Sequence, residues 1–106
     1  AARNQLARAQ ALLPGQFLGV TRGADGFFWL ENGRVQHADG VAVKAVDTLG
    51  AGDVFHGAYA LALAERMSTH DAARFACVAA SLKCEVFGGR IGAPDRAAVT
   101  RAMNAN

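Results

Sequence analysis

The sequence predicts an α/β fold: part of a sheet that carries a hairpin, with helices on both faces. Three observations lead to this prediction. Short extended runs rich in Phe, Val and Thr fill the first half, an Asn-Gly pair joins two of them, and two long apolar helical segments fill the second half. The 106 residues, 52% hydrophobic and 19% charged, have an ordinary globular composition for one domain or a piece of one.

The first helix, strand and turn follow from local signals. Residues 3–13 are rich in Ala, Leu, Gln and Arg and predict a helix, which Pro14 and Gly15 end. A strand is expected over residues 17–21. Residues 23–26, with a glycine at each end, predict a turn.

The next segment predicts a hairpin and one more strand. Residues 27–31 and 34–38 are extended runs joined by Asn32 and Gly33, which favour a tight turn because both residues tolerate positive φ. Residues 41–46 alternate apolar with other side chains, so a further strand is predicted there.

Two long helices are predicted over residues 53–66 and 71–87, and both are apolar nearly all round. A helix without a polar face must be covered on more than one side, so we expect further protein to pack on them. Residues 88–92 predict a loop. Pro94 is expected in the first turn of a final helix, where its missing N–H costs nothing.

Charge, hydropathy and cysteine spacing bear on the class of protein. The net charge of +2 comes from scattered basic and acidic residues, so no basic run indicates nucleic-acid binding. No apolar run approaches the roughly 20 residues of a membrane span and no signal peptide opens the chain, so a cytoplasmic location is expected. Cys77 and Cys84 lie about 10 Å apart along a helix, beyond the reach of a disulfide. No cluster of His, Cys or acidic residues has metal-ligand spacing.

A glycine-rich run stands before the first long helix: Gly50, Ala51 and Gly52 precede Asp53, the first acidic residue of that helix. Small residues let a ligand approach the backbone, and the N–H groups of a first helical turn attract anions. A carboxylate here suits a site where it takes a proton from a hydroxyl that attacks a bound phosphoryl group. The pattern therefore indicates phosphoryl transfer to an alcohol. The alternative is a glycine-rich turn in which Asp53 merely begins a helix.

A longer motif surrounds these residues. Residues 47–60, Asp-Thr-Leu-Gly-Ala-Gly-Asp-Val-Phe-His-Gly-Ala-Tyr-Ala, resemble the C-terminal signature of the ribokinase-like carbohydrate kinases, the PfkB family. Residues 20–26 are similar to the family's strand and nucleotide-binding turn, and residues 88–94 to the loop and proline that close its nucleotide site. By this resemblance residues 1–106 are identified as the C-terminal segment of such a kinase. It implies a partial ribokinase-like three-layer α/β/α domain without the family's N-terminal half and lid.

The resemblance implies an ATP-dependent carbohydrate kinase that phosphorylates a sugar hydroxyl. Asp53 matches the family's general base, and the backbone N–H groups of Gly50, Ala51 and Gly52 match its anion hole. This mechanism agrees with the one that the glycine-rich run itself indicates. His56 follows the base by three residues, and the sequence favours a packing or solvent-facing place for it.

The resemblance also implies a nucleotide site. Thr21, Gly23 and Gly26 match positions that line the ATP site, the alternative being a turn that merely needs glycine. Cys77 and Ser81 match a stretch that lies against the adenine in relatives, the alternative being ordinary helix packing.

Two ions are implied as well. Asp47 matches an aspartate that in many members helps to bind a monovalent cation, K⁺, with backbone carbonyls at Leu49 and in the loop from Gly88 to Gly92. Many members depend on this ion weakly or not at all. Mg²⁺ is expected to arrive with ATP and to be held mainly through phosphates and water, as is usual for this ion. The resemblance places the family's acidic Mg²⁺-associated motif upstream of this segment.

Parts of the family pattern have no counterpart in these residues. They are the N-terminal sugar-binding aspartate, a glycine pair and the lid over the sugar. We therefore expect the segment to be inactive alone and to act with the N-terminal portion of the same kinase or with a partner chain. Relatives of this kind often form homodimers through the lid, and the identity of the sugar stays open. The alternative is a non-catalytic nucleotide-binding remnant or regulatory module, which the intact Asp53 disfavours.

Overall fold

The computed structural model describes residues 2–13, 17–88 and 92–104. Its elements follow one another as α1 (Ala2–Leu12), β1 (Gly19–Thr21), a single 3-10 turn (Gly23–Asp25), β2 (Phe27–Glu31), β3 (Arg34–Ala38), α2 (Ala51–Ala64), α3 (Thr69–Cys84) and α4 (Arg96–Asn104). The predicted α/β class is confirmed. Pro14 and Gly15, predicted to end the first helix, lie outside the described residues.

The three strands form one antiparallel sheet in the order β1-β2-β3. The predicted hairpin is confirmed, with Glu31 paired to Arg34 at its tip. Asn32 and Gly33 both have positive φ, 53° and 77°, as a two-residue turn between twisted strands requires. Because β1 begins only at Gly19, the first strand is shorter than predicted.

The core lies between one face of this sheet and helices α2 and α3. Phe27 and Trp29, two residues apart on β2, are both buried and pack in one cluster with Phe55 of α2 and with Cys77 of α3. The rings of Phe27 and Phe55 have centroids 5.0 Å apart. Alternate residues of a strand face the same side, so Phe27 and Trp29 both point toward the helices.

A second cluster joins the three last helices. It is rich in alanine, which lets α2 and α3 approach each other closely, and its buried members are Ala62, Ala72, Phe75, Val78, Ala79 and Val99. The end of α2 is tied to the start of α4 by a two-pronged ion pair between Glu65 and Arg96. The pKa of Glu65 lies below its usual range because Arg96 donates hydrogen bonds to the carboxylate.

The two long helices differ in how far they are covered. Helix α3 is covered on several sides, since eight of its residues are buried. Helix α2 buries only Phe55 and Ala62, and its Leu61 and Leu63 are each 44% exposed. The outer side of α2 therefore presents apolar surface of the kind expected to take further protein. None of the helices in the described ranges is long and apolar enough to span a membrane.

The strand predicted over residues 41–46 is wrong. No strand in the described part of the chain lies beside this segment, and a β-strand needs a neighbour to accept its hydrogen bonds. Its end instead meets α3, where the N–H groups of Val46 and Asp47 donate to the carbonyl of Cys84 at 2.7 and 3.1 Å.

Helix boundaries also differ from the prediction. Helix α2 begins at Ala51 rather than at residue 53, and α3 ends at Cys84 rather than at residue 87. Pro94 is not in the first turn of the last helix. That helix begins at Arg96, because the Asp95 carboxylate accepts a hydrogen bond from the Ala98 N–H at 2.8 Å and so caps it.

Candidate active site

The glycine-rich run forms the start of α2. Gly50 is the residue before the helix and has the left-handed conformation, φ 80° and ψ 0°, which glycine adopts without strain. The Ala51 N–H donates to the Thr48 carbonyl at 3.1 Å, and the first regular helical bond joins the Val54 N–H to the Gly50 carbonyl at 3.0 Å. Across the described ranges, the N–H groups of Gly52 and Asp53 have no protein acceptor. Two donors at a helix start are thus available to an anion.

Asp53 lies in the first turn of α2, and its side chain is exposed. Its carboxylate makes no ion pair or hydrogen bond with any side chain or backbone group in the described ranges. It lines a groove of about 350 Å³ between α2 and the segment leading into α4, which Pro94 and Arg96 also line. An unpaired carboxylate next to available N–H donors can accept a proton from a hydroxyl close to a bound anion.

A second, larger cleft of about 500 Å³ opens on the other side of the α2 start. All five residues predicted for the ATP site line it: Thr21, Gly23, Gly26, Cys77 and Ser81. Ala51 and Gly52 line the same cleft, so it reaches from the sheet and α3 to the predicted anion hole. Residues far apart in the sequence therefore meet in one place, and their nucleotide roles stay predictions.

The wall of this cleft contains glycines that the packing itself requires. At Gly26, φ is 95° and an added Cβ would lie 2.3 Å from the Ala38 carbonyl oxygen. At Gly40, an added Cβ would lie 1.9 Å from the Ser81 hydroxyl oxygen. Arg74 donates to the carbonyl of Gly40 at 2.9 Å and so holds this segment against α3. The need for glycine at position 26 thus follows from backbone packing, whereas Gly23 has open surroundings.

Cys77 and Ser81 form the α3 side of the cleft. Cys77 is 6% exposed, and its thiol donates to the Ala38 carbonyl at 3.4 Å. Burial, with the negative charge of Asp39, raises the pKa of the Cys77 thiol to about 11. Ser81 donates to the Cys77 carbonyl at 2.9 Å. Both side chains are bound to neighbouring carbonyls, and both cysteines of the chain are free thiols, as predicted.

The residues predicted for a monovalent cation lie in the loop before α2 and in the loop after α3, which meet at Asp47. Asp47 accepts one hydrogen bond from the Leu49 N–H and one from the Gly88 N–H, each at 2.9 Å. These two bonds, with the nearby charge of Lys83, hold the pKa of Asp47 below its usual range. Gly92 lies close by, since a Cβ there would be 3.3 Å from the Lys83 side chain. Residues 89–91 of the predicted loop lie outside the described ranges.

Lys83 is the functional candidate that the sequence reasoning missed. Its side chain is fully buried, and its ammonium donates to the carbonyls of Asp47 and Val86 at 2.7 and 3.2 Å. A signal was present, because Lys83 follows the buried Ala76 and Ala79 by seven and four residues, the spacing of one helix face.

All three histidines are exposed, which for His56 is a place that the sequence favours. His56 is exposed, and its ring Nδ1 donates to the Gly52 carbonyl at 2.7 Å. His37 stacks on Phe28 and lies 3.0 Å from the Asp39 carboxylate, while His70 meets Trp29 edge-on.

Comparison with known proteins identifies the class. Solved structures of ribokinases share this arrangement of sheet and helices. Residues 1–96 match the model of the pfkB family carbohydrate kinases, and the chain belongs to that family.

Two curated relatives are ribokinases. The Bacillus subtilis protein is 37% identical over 99 residues, which are 93% of this chain and 33% of that protein. The Lactococcus lactis protein is 40% identical over 75 residues, which are 71% of this chain and 25% of that protein. The chain thus spans a quarter to a third of the length of these relatives.

Three solved structures are similar to nearly the whole of this chain, which again matches about a third of each of them. A ribokinase candidate from Agrobacterium tumefaciens has a TM-score of 0.94 and 46% identity, covering 99% of this chain and 35% of that one. Arabidopsis thaliana ribokinase, complexed with ribose and ATP, has a TM-score of 0.84 and 32% identity, covering 94% of this chain and 33% of that one. Phosphofructokinase-2 from Escherichia coli, in complex with potassium, is 23% identical with a TM-score of 0.80, covering 97% of this chain and 33% of that one, and is similar in fold.

Proposed function

We propose that the protein containing this chain transfers the γ-phosphoryl group of ATP to a hydroxyl group of a sugar. The observation that carries the proposal is the α2 start, where the free N–H groups of Gly52 and Asp53 adjoin an unpaired carboxylate and the cleft of about 500 Å³. Family membership supports the same reaction. The chain supplies the nucleotide cleft, the anion hole and the base, and the N-terminal portion of the kinase or a partner chain supplies the sugar pocket.

Each group has one task in the proposed reaction. Asp53 takes the proton of the sugar hydroxyl, whose oxygen forms a bond to the γ-phosphorus while the bond from phosphorus to the β,γ-bridging oxygen breaks and ADP leaves. The helix-start N–H groups stabilise the negative charge on the transferred group. Among the three predicted residues, Ala51 is the least available donor because its N–H already bonds to the Thr48 carbonyl, whereas the N–H groups of Gly50 and Gly52 have no protein acceptor in the described ranges.

The nucleotide occupies the cleft of about 500 Å³, with the adenine near Cys77 and Ser81 and the phosphates toward Gly52. Thr21, Gly23 and Gly26 form its opposite wall. Mg²⁺ bound to the ATP phosphates neutralises part of their charge during transfer. The proposal has phosphates and water supply most of its ligands, as is usual for this ion.

The test is sugar-dependent release of ADP by the intact protein, with ribose first because the Arabidopsis relative binds ribose and ATP. The variant Asp53→Asn is compared with Asp71→Asn, since Asp71 is also an exposed acid in the first turn of a helix but lines neither the groove nor the cleft. The proposal predicts turnover with at least one sugar, lost in Asp53→Asn and kept in Asp71→Asn. Nucleotide binding without turnover on any sugar would favour the non-catalytic module instead.

A further inference from the structure

The buried Lys83 joins three segments of the chain next to the loop that leads into α2. Its ammonium donates to the Asp47 carbonyl at 2.7 Å and to the Val86 carbonyl at 3.2 Å, and lies 3.9 Å from Oδ2 of Asp47. Its stem touches the position of Gly92, which is buried and has room for no larger side chain without displacement. The loop before α2, the end of α3 and the loop after α3 thus meet at one ammonium group.

The surroundings of this ammonium are those of a cation site. An ammonium has three N–H donors and no acceptor, and its neighbours here are two carbonyl oxygens and a carboxylate oxygen. Oxygen atoms of this kind are also the ligands of hard metal cations. Burying a lysine is unfavourable without such partners, so the full burial of Lys83 indicates that these oxygen atoms stabilise its charge.

A separate monovalent ion does not fit the same place. Lys83 already takes the carbonyl of Asp47, and the two oxygens of the Asp47 carboxylate accept the N–H groups of Leu49 and Gly88. A second cation among these oxygens would stand next to the ammonium and be repelled by it. Two of the residues predicted for K⁺, Asp47 and Gly92, therefore lie against a charge that the chain carries itself.

We propose that the ammonium of Lys83 is the built-in monovalent cation of this site, so that the kinase needs no K⁺. By its bond to the Asp47 carbonyl, Lys83 acts as a positioning residue that fixes the loop from Asp47 to Gly50 and, through it, the start of α2. The part of this inference that concerns activity rests on the proposed sugar kinase function. The part that concerns ion binding does not.

The test compares the intact protein in KCl and in tetramethylammonium chloride at equal ionic strength, because the organic cation is too large for the site. Two variants are used. Lys83→Ala removes the charge and opens oxygen-lined space, whereas Lys83→Met removes the charge and fills that space. Thermal unfolding and sugar phosphorylation are measured for each protein in both salts.

The inference predicts that wild type has the same Tm and the same rate in both salts. Lys83→Ala loses about tenfold in rate in tetramethylammonium, equivalent to about 1.4 kcal/mol, and K⁺ restores the rate and raises the Tm. Lys83→Met loses rate in both salts, and K⁺ rescues neither quantity. A merely structural lysine would give no rescue specific to K⁺ in Lys83→Ala.

A Lys83→Ala variant that K⁺ does not rescue would overturn the inference, and so would either of two further results. One is a wild type whose Tm or rate rises in K⁺, and the other is a Lys83→Ala variant that keeps the wild-type rate in tetramethylammonium. If Lys83→Ala fails to fold in either salt, the wild-type comparison and Lys83→Met decide the outcome. If the protein phosphorylates no sugar, the proposed function fails, and the Tm comparison alone still decides whether an ion is bound.

Discussion

Replacing Gly52 by alanine separates the stability of the fold from the proposed chemistry. Gly52 lies exposed in the first turn of α2, and within the described ranges an added Cβ would meet no atom within 4 Å apart from its chain neighbours and the nearby backbone of the helix. Glycine costs a helix roughly 0.5–1 kcal/mol relative to alanine, so Gly52→Ala is expected to raise the free energy of unfolding by up to that amount. The substitution therefore leaves the fold intact.

The same methyl group is expected to lower kcat. In the proposed reaction the transferred phosphoryl group approaches the N–H of Gly52 directly, and a side chain at that position holds it away. Loss of one donor of this kind costs about 10²–10³-fold in enzymes where it has been removed outright, and a hindered approach is expected to cost about 10- to 100-fold. The variant is thus more stable and less active.

Urea unfolding and ADP release from the intact protein measure the two effects. Gly57→Ala is the matched control, because Gly57 lies further along α2 and its added Cβ also meets no atom within 4 Å. It is expected to give a similar gain in stability. Because Gly57 lines the groove beside Asp53 and not the cleft of about 500 Å³, it controls for the change in stability and not for kcat. If Gly52→Ala gains stability and keeps its full kcat, the phosphoryl group does not contact this helix start and the proposed anion hole is wrong.

Three further predictions follow from the packing and the charges. Gly26→Ala is expected to lower the free energy of unfolding by about 1–3 kcal/mol, measured in urea, because its Cβ would lie 2.3 Å from the Ala38 carbonyl oxygen; an unchanged midpoint would contradict that contact. The pKa of Glu65 is lowered by Arg96, so their ion pair stabilises the fold above the ordinary pKa of 4.5 and this contribution is lost as the pH falls through the lowered value. When the urea midpoint is plotted against pH, Glu65→Gln is therefore expected to lose less stability at acid pH than wild type does. An equal loss in both proteins would count against the ion pair. The Cys77 thiol, with its pKa raised to about 11, is expected to resist iodoacetamide at neutral pH until the protein unfolds, as followed by peptide mass spectrometry; rapid labelling of the folded protein would refute its burial.

The elements that the sequence predicted correctly depend on local chemistry. Asn32 and Gly33 specify the hairpin because their positive φ values are a property of the two residues themselves. The Gly-rich run before Asp53 predicts the start of α2 to within two residues for the same reason, since Gly50 adopts the left-handed conformation.

The two errors have different causes. Residues 41–46 have a strand pattern, but a strand exists only where a neighbour accepts its hydrogen bonds, and the end of this segment bonds to the end of α3 instead. Pro94 was expected within the last helix, but the capping carboxylate of Asp95 fixes a later start. The first outcome depends on a contact with a distant part of the chain, whereas the second depends on the residue next to Pro94.

The candidate site could be predicted only in part. Its chemistry was visible in the run ending at Asp53. The meeting of Thr21 with Ser81 in one cleft depends on the packing of the sheet against α3 and was implied only by resemblance. The burial of Lys83 had only the weak signal of its helix-face spacing, because a lysine usually predicts exposure and this one is buried against carbonyls contributed by Asp47 and Val86.

The central claim is that Asp53 removes the proton from the sugar hydroxyl during transfer. The most direct measurement follows the labelled γ-phosphate of ATP into the sugar product, alongside the Kd for ATP, in wild type and in Asp53→Asn. The account predicts that Asp53→Asn binds ATP as wild type does and transfers label at least about a hundredfold more slowly, as expected for loss of a general base. Transfer at the wild-type rate by Asp53→Asn would contradict it.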